Sequence, residues 1–363
     1  MINEVAAGFI GAGGIARSHA YALNSLKYYY SDVPSAHLVA VTSLNPESRK
    51  NFAERFGFRE STDFQHFIAN DKIDTVFILG PNKVHAEHLK AAVAMPSIKR
   101  IYIEKPLCST KEEEEEIAFI VSKYPSIKFQ AGFQFLFTPS VREAIKLWRT
   151  GMFGKLLHFD IKYYHGDYLN RKYRDKRQTR LTPAPDGGAL ADLGSHAISM
   201  LMAFAGDDLQ VTSAIQSGSF PDVNPLSDLF SLITLRSQST GAAGTISASR
   251  IASGTGDTLS LELYAEKGTL RLSTNNPSFF EYFTEESGMW INRPTGSNYG
   301  NITSFPSGHV SPGWLRSMIH AHYVFITGND DESFVPGIDH ALKVQRIVRE
   351  ASEAMEVFRK SNL

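Results

Sequence analysis

Residues 101–107 read IYIEKPL, an apolar run that passes straight into a glutamate, a lysine and a proline. Ile101, Tyr102 and Ile103 are β-branched or aromatic and suit a buried strand. Glu104 and Lys105 belong to the types least often buried unless paired. Pro106 cannot donate to a sheet ladder and holds Lys105 in extended geometry. A strand therefore ends here, presenting a carboxylate and an ammonium at its carboxyl edge. In an open α/β sheet that edge is where ligands bind. A second constellation is GGALADLGSH, residues 187–196. Asp192 and His196 stand i,i+4, which on an α-helix places them on one face. A carboxylate so placed can orient an imidazole or raise its pKa, as acid/base chemistry requires. Gly187 and Gly188 let another backbone or a ligand approach closely.

A third motif, GFIGAGGIA, sets Gly11, Gly13 and Ala16 in G-x-G-x-x-A spacing, with Gly14 and Ile15 between them. The first glycine permits a tight turn, the second a close approach to a pyrophosphate, and the small third residue close helix–strand packing. The phosphates then lie at a helix N-terminus. The motif joins the first strand to the first helix of a βαβ pattern, the context a dinucleotide site needs. An acid at the end of the second strand would favour NAD by binding the adenosine ribose. VTSLNPESRK has Ser43 there, followed by Asn45. Nothing at that point repels a 2′-phosphate, and Arg49 or Lys50 could attract one. The expectation is that NADP is accepted, and slightly favoured over NAD. Gly80, Pro81 and Asn82 end a neighbouring strand and turn the backbone beside the cofactor.

The elements that must hold these groups follow from periodicity. VAAGFIG, AHLVAVTS, DTVFILG, RIYIEKP and IKFQAGFQF read as strands, with helical stretches at 3.6-residue spacing between them. Continuous apolar strands separated by helices imply a parallel sheet covered on both faces. This predicts a Rossmann-type, doubly wound domain over residues 1–131. From 132 to 363 the pattern becomes α+β. The helix SVREAIKLWRTGMFG, the alternating strand LLHFDIKYYH and the helix of the GG motif come first. Mostly strand signals fill about 210–292, which argues for a mainly antiparallel sheet. WLRSMIHAHYVFITG and GIDHALKVQRIVREASEAMEVFRK close the chain as amphipathic helices.

The 363 residues carry a formal net charge of −1. Bulk attraction to nucleic acid or an anionic membrane is not expected, and no apolar run has the length of a membrane-spanning helix. A single cysteine, Cys108, permits no intramolecular disulfide, and a reducing, cytoplasmic setting is the expectation. The apolar N-terminus reads as a first strand and not as a signal peptide.

GAGGIA, GPNKVHAE, IEKP, GFQFLFTP and GGALADLGSH occur in an order and spacing that resemble the Gfo/Idh/MocA family, named for glucose–fructose oxidoreductase and inositol dehydrogenase. The resemblance spans nearly the whole chain. It implies a pyridine-nucleotide oxidoreductase acting on sugars, cyclitols or their derivatives. It also implies a Rossmann domain plus a substrate domain with a large open sheet that makes homodimer or homotetramer contacts. By that likeness Lys105, Asp192 and His196 are the catalytic trio. Glu104, Asn82 and Gln134 lie near the nicotinamide end, with His85 among the cofactor-site residues. Two departures stand out: Ser43 for the frequent acid, and Leu136 where an arginine often stands. A non-catalytic dinucleotide-binding sensor and an NAD-dependent glycosidase are the alternatives.

Hydride would pass between the nicotinamide and a carbinol carbon. His196 is expected as the general acid/base with Asp192 orienting it, while Lys105 stabilises the reacting oxygen or itself relays the proton. Tyr163, Tyr164, His165, Asp167 and Tyr168 are candidates for sugar hydroxyls, with Tyr163 and His165 foremost. The stretch from Arg171 to Arg180 holds six cations and one acid, Asp175. It reads either as a solvated or oligomer-facing loop or as an anion site for a charged sugar. His320 and His322, with His309 nearby, suggest no metal, since i and i+2 point apart on a helix.

Overall fold

The computed structural model describes residues 4–217, 220–296, 313–329 and 334–361. His309 lies outside the described residues. The chain forms two compact units.

The first unit begins with β1 (Glu4–Ile10), α1 (Gly14–Tyr29), β2 (Ser35–Thr42), α2 (Pro46–Phe56), β3 (Glu60–Ser61), α3 (Phe64–Ile68), β4 (Thr75–Ile78), α4 (His85–Val93), β5 (Arg100–Ile103), α5 (Lys111–Lys123) and β6 (Lys128–Ala131). The six strands are parallel, in the order β3-β2-β1-β4-β5-β6. Order reverses between β1 and β4, which makes that crevice the topological switch point. The central strands are buried on both faces, as Phe9, Val41, Phe77 and Tyr102 show. The sequence predicts five strands, without the short β3, and runs the last of them through Phe135. The strand stops at Ala131, and Gln134–Phe137 form a 3₁₀ turn with Leu136 buried inside it.

The second unit contains α6 (Pro139–Arg149), β7 (Leu156–Tyr164), α7 (Arg171–Asp175), α8 (Ser195–Ala205), and the strands β8 (Leu209–Ser217), β9 (Phe230–Ser237), β10 (Ala243–Ser249), β11 (Thr258–Ala265), β12 (Gly268–Ser273), β13 (Phe279–Thr284) and β14 (Met289–Pro294). Its eight-stranded sheet runs β14-β13-β12-β11-β7-β10-β9-β8. Every pairing is antiparallel except β7 with β10.

The two units are not successive halves of the chain. After β14 the chain supplies α9 (Trp314–Thr327) to the first unit, and α10 (Ile338–Ser361) falls mostly in the second. A division at residue 131 misses this return. The reason is burial: Arg316 through Ile326 are all buried, so α9 is less an amphipathic surface helix than a core element of the parallel-sheet unit. Tyr30 stacks on Tyr323 at 4.0 Å, and the Lys128 ammonium donates to the Val324 carbonyl at 2.8 Å.

His340, buried at the start of α10, shares a 2.7 Å hydrogen bond with the Ser199 hydroxyl of α8. Burial, helped by the Lys343 charge, lowers its pKa to about 4. The unfolded chain therefore binds a proton on this imidazole near pH 6.5, where the native state does not. Stability is full above pH 6.5 and is lost as pH falls toward 4, by about 3 kcal/mol from this group. Urea unfolding of the wild type should weaken across that window, and His340→Gln should flatten the dependence. Parallel curves for the two proteins would contradict the assignment.

Candidate active site

In the first unit β1 ends at Ile10 and Gly11 takes φ +122°, a region that side chains rarely occupy. A Cβ at Gly11 would also lie 2.9 Å from the Leu79 carbonyl. The turn is tied down by the Gly11 amide donating to Thr42 O at 2.8 Å. Gly13 is the N-cap of α1 and provides no side-chain cap. Cβ atoms built on Gly13 or Gly14 would meet nothing within 4 Å. The first amides of a sixteen-residue helix are thus left for another acceptor. Ala16 is fully buried and Ile15 half-buried, so the helix sits close on its strand. This arrangement fits a dinucleotide pyrophosphate.

At the end of β2 the side chains are more committed than the sequence suggests. Asn45 caps α2, accepting from the Ser48 amide at 2.9 Å. Arg49 donates to the Ser43 carbonyl at 2.9 Å and to the Ser61 hydroxyl at 3.2 Å. Lys50 lies exposed, 3.9 Å from Glu54. His85 is buried, with Nε2 2.9 Å from Gly80 O and Nδ1 3.1 Å from Leu107 O. Burial lowers its pKa. His85 is therefore a strut between two loops of the crevice and not an open ligand group. The Asn82 amide likewise reaches the Cys108 carbonyl, at 3.4 Å.

Glu104 and Lys105 follow β5 at its carboxyl end, as the sequence predicts. Lys105 is half-buried and Glu104 buried. The Glu104 carboxylate accepts from the Lys105 amide at 3.2 Å and lies 2.8 Å from His19 Nε2. Gly132 makes room for it, since a Cβ there would stand 2.6 Å from Oε1. Gln134 is buried in the 3₁₀ turn that follows β6.

In the second unit Asp192 lies in a π-helical turn, Leu190–Gly194, that leads into α8, where His196 is buried. The wider π turn departs from the α-helical geometry behind an i,i+4 reading. Both Asp192 oxygens accept from guanidiniums, Arg180 at 2.7 Å and Arg250 at 2.9 Å. Arg250 is fully buried and also donates to the Arg180 carbonyl. The carboxylate is thus fixed by two cations that its spacing from His196 does not reveal. The His196 ring faces that of Tyr163 at 5.9 Å. Tyr163 is buried, and burial together with the Asp257 carboxylate raises its pKa well above the ordinary tyrosine value. His165 is buried too, and its pKa is lowered by burial. Tyr164 bonds Ser247 at 2.7 Å, and Tyr168 is core, packed with Leu181, Val223 and Leu229. Tyr168 is therefore no candidate for a sugar hydroxyl.

The basic loop is partly structural. Arg174 is buried, grips both Asp222 oxygens at 2.8 and 2.9 Å, and donates to the Tyr168 and Leu169 carbonyls. With Arg180 on Asp192, two of the six cations are spent within the unit. The glycine pair is structural as well. A Cβ on Gly187 would lie 2.4 Å from Thr182 Oγ1, and one on Gly188 1.7 Å from Asp228 Oδ1. Asp228, buried, accepts from the Leu190 amide at 2.7 Å and from the Ser231 hydroxyl. Its pKa is raised by that burial. The sequence signals a close approach to the glycines but gives no sign that Asp228 makes it. His320 and His322 are both buried, bonded to Tyr30 at 2.7 Å and His19 at 2.8 Å. Among the described residues no three His, Cys, Asp or Glu side chains form a metal-holding group.

Residues 5–133 match the model of an oxidoreductase family with an NAD-binding Rossmann fold, and residues 141–271 match the Gfo/Idh/MocA C-terminal domain. The chain belongs to the Gfo/Idh/MocA oxidoreductase family. The chain is similar to levoglucosan dehydrogenase from Pseudarthrobacter phenanthrenivorans, 28% identical over 288 residues, or 72% of each chain. Glucose-6-phosphate 3-dehydrogenase from Bacillus subtilis is 29% identical over 197 residues, 53% of this chain and 52% of that relative. A levoglucosan dehydrogenase structure in complex with NADH and levoglucosan shares the fold, with TM-score 0.83, 23% identity and 98% of both chains covered. The first matched region spans β1 to β6, and the second spans β7 to β11 and part of β12.

Proposed function

We propose that this protein transfers hydride between NAD(P) and a hydroxyl or ketone carbon of a sugar, cyclitol or sugar derivative. The observation that carries the reading is the uncapped N-terminus of α1 behind the Gly11 turn, within the NAD-binding family region. The matched relatives named as dehydrogenases of levoglucosan, glucose 6-phosphate and scyllo-inositol support the substrate class. The cofactor supplies the hydride acceptor or donor. Gly11, Gly13, Gly14, Ile15 and Ala16 hold its pyrophosphate, and Ser43 and Arg49 its adenosine end. Glu104, Asn82 and Gln134 frame the nicotinamide end. Lys105 stabilises the charge developing on the substrate oxygen, and His196 carries the hydroxyl proton. Asp192, held by Arg180 and Arg250, anchors the turn from which His196 projects. Tyr163 and His165 contribute to the sugar site. The protein works in the cytoplasm as a homodimer or homotetramer, for which the open sheet of the second unit offers the surface.

The deciding experiment is a panel of sugars and cyclitols with NAD and with NADP, followed by absorbance of the reduced nicotinamide. Net reduction with at least one polyol is expected. Binding of cofactor without net reduction across the panel would favour a sensor or a transiently redox glycosidase. Cofactor choice has its own check. Arg49 is pinned at the end of β2, and Ser43 places no acid against a 2′-phosphate. Arg49→Ala should weaken NADPH about tenfold in a fluorescence titration, the loss of one charge-assisted hydrogen bond. NADH should change less than twofold, and equal effects on both would remove Arg49 from the phosphate site.

A further inference from the structure

We propose that His19 and His322 are positioning residues for the Glu104–Lys105 end of β5, acting through a buried hydrogen-bond chain whose protons all point toward Glu104. The proposal rests on the reading of Lys105 given above. The chain links three elements of the first unit: α9, α1 and β5. His322 Nε2 lies 2.8 Å from His19 Nδ1, and His19 Nε2 lies 2.8 Å from Glu104 Oε1. The two imidazoles stack at 5.0 Å with planes 22° apart. Both histidines are completely buried, and Glu104 is 4% exposed. The other carboxylate oxygen accepts from the Lys105 amide.

The direction of the chain follows from its closed end. Burial holds the His322 pKa well below the ordinary imidazole value, so this ring is neutral and has one N–H. Among the described residues its Nδ1 has no hydrogen-bond partner, and the Phe77 and Tyr102 rings pack T-shaped against the imidazole, with ring centroids 5.2 and 5.6 Å away. A proton on Nδ1 would be a buried donor with no acceptor. On Nε2 it donates to His19 Nδ1, and His19 must then donate from Nε2 to Glu104. The carboxylate is left with one oxygen filled from behind and one turned to the Lys105 amide. Gly132 leaves no alternative use of that space, because any side chain there would displace Oε1.

Two imidazoles within an aromatic cluster are not what stability alone selects. Apolar side chains of similar volume are often as stable or more stable in such places. Fixing one carboxylate rotamer, and with it the backbone that presents Lys105, is a use that apolar packing cannot provide.

His322→Phe and His322→Gln test this in the full-length protein. Phenylalanine keeps the aromatic packing and removes the donor, whereas glutamine can still donate to His19 Nδ1. His322→Phe leaves the buried His19 Nδ1 without its donor and should melt somewhat below the wild type, while kcat, assayed well below that melting temperature, falls at least tenfold and KM changes less than threefold. His322→Gln should recover kcat to within threefold. A merely structural role would make turnover follow melting temperature, and His322→Phe with kcat within twofold of the wild type overturns the proposal. A second readout needs no substrate. The backbone amide resonance of Lys105 should shift in His322→Phe and return in His322→Gln. An unmoved amide overturns the positioning role even if no sugar in the panel is turned over.

Discussion

Lys105→Met should lower kcat about 10³-fold while leaving cofactor affinity within twofold of the wild type. Methionine keeps the length and flexibility of the side chain and removes its charge and its three donors. Deleting a single donor to a developing oxyanion costs about 10²- to 10³-fold in other enzymes, and loss of a general acid or base about 10²- to 10⁴-fold. The side chain is half-buried at the carboxyl edge of β5, next to a carboxylate held from behind. His196→Asn is the companion experiment, with an expected loss of similar size if it carries the proton. The comparison of pH profiles separates the roles. The residue that titrates in catalysis takes one limb of the profile with it when replaced, and the residue that only stabilises charge lowers the whole curve. Lys105→Met enzyme turning over within threefold of the wild type would refute the assignment outright.

The second large effect is expected on folding. Gly188→Ala should destabilise the protein by about 3–5 kcal/mol, by strain in the left-handed region and loss of a buried cap. Gly188 has φ +77°, and a methyl group there would stand 1.7 Å from Asp228 Oδ1. Relief requires Asp228 to move, which breaks its bonds to the Leu190 amide and the Ser231 hydroxyl. Those bonds hold the π-helical turn that contains Asp192. A double-mutant cycle with Asp228→Ala isolates the clash. Removing the carboxylate should recover part of the loss and leave the backbone strain, so the two changes are not additive. Urea unfolding gives each term. An additive cycle, or Gly188→Ala as stable as the wild type, would show that the carboxylate yields without consequence.

These two predictions rest on different kinds of information. Lys105 and the Gly11 turn could be placed from the chain alone, because their signals are local. A strand that meets E-K-P must end, and G-x-G-x-x-A between a strand and a helix has few other uses. The parallel sheet was equally legible, since strands buried on both faces must be apolar throughout, and the strand runs of the second unit declared a mainly antiparallel sheet. The partners of the site residues were not. Arg250 on Asp192, Asp228 against Gly188 and His19 on Glu104 each join positions 58, 40 or 85 residues apart. An isolated arginine, aspartate or histidine has no periodicity to mark it. Its partner is decided when burial leaves a charge or a donor that must be satisfied by whatever the fold brings near. The return of α9 to the parallel sheet is of the same kind. Its amphipathic pattern announced a helix, and only the packing of Tyr30, His19 and Lys128 against it decided which sheet it would cover.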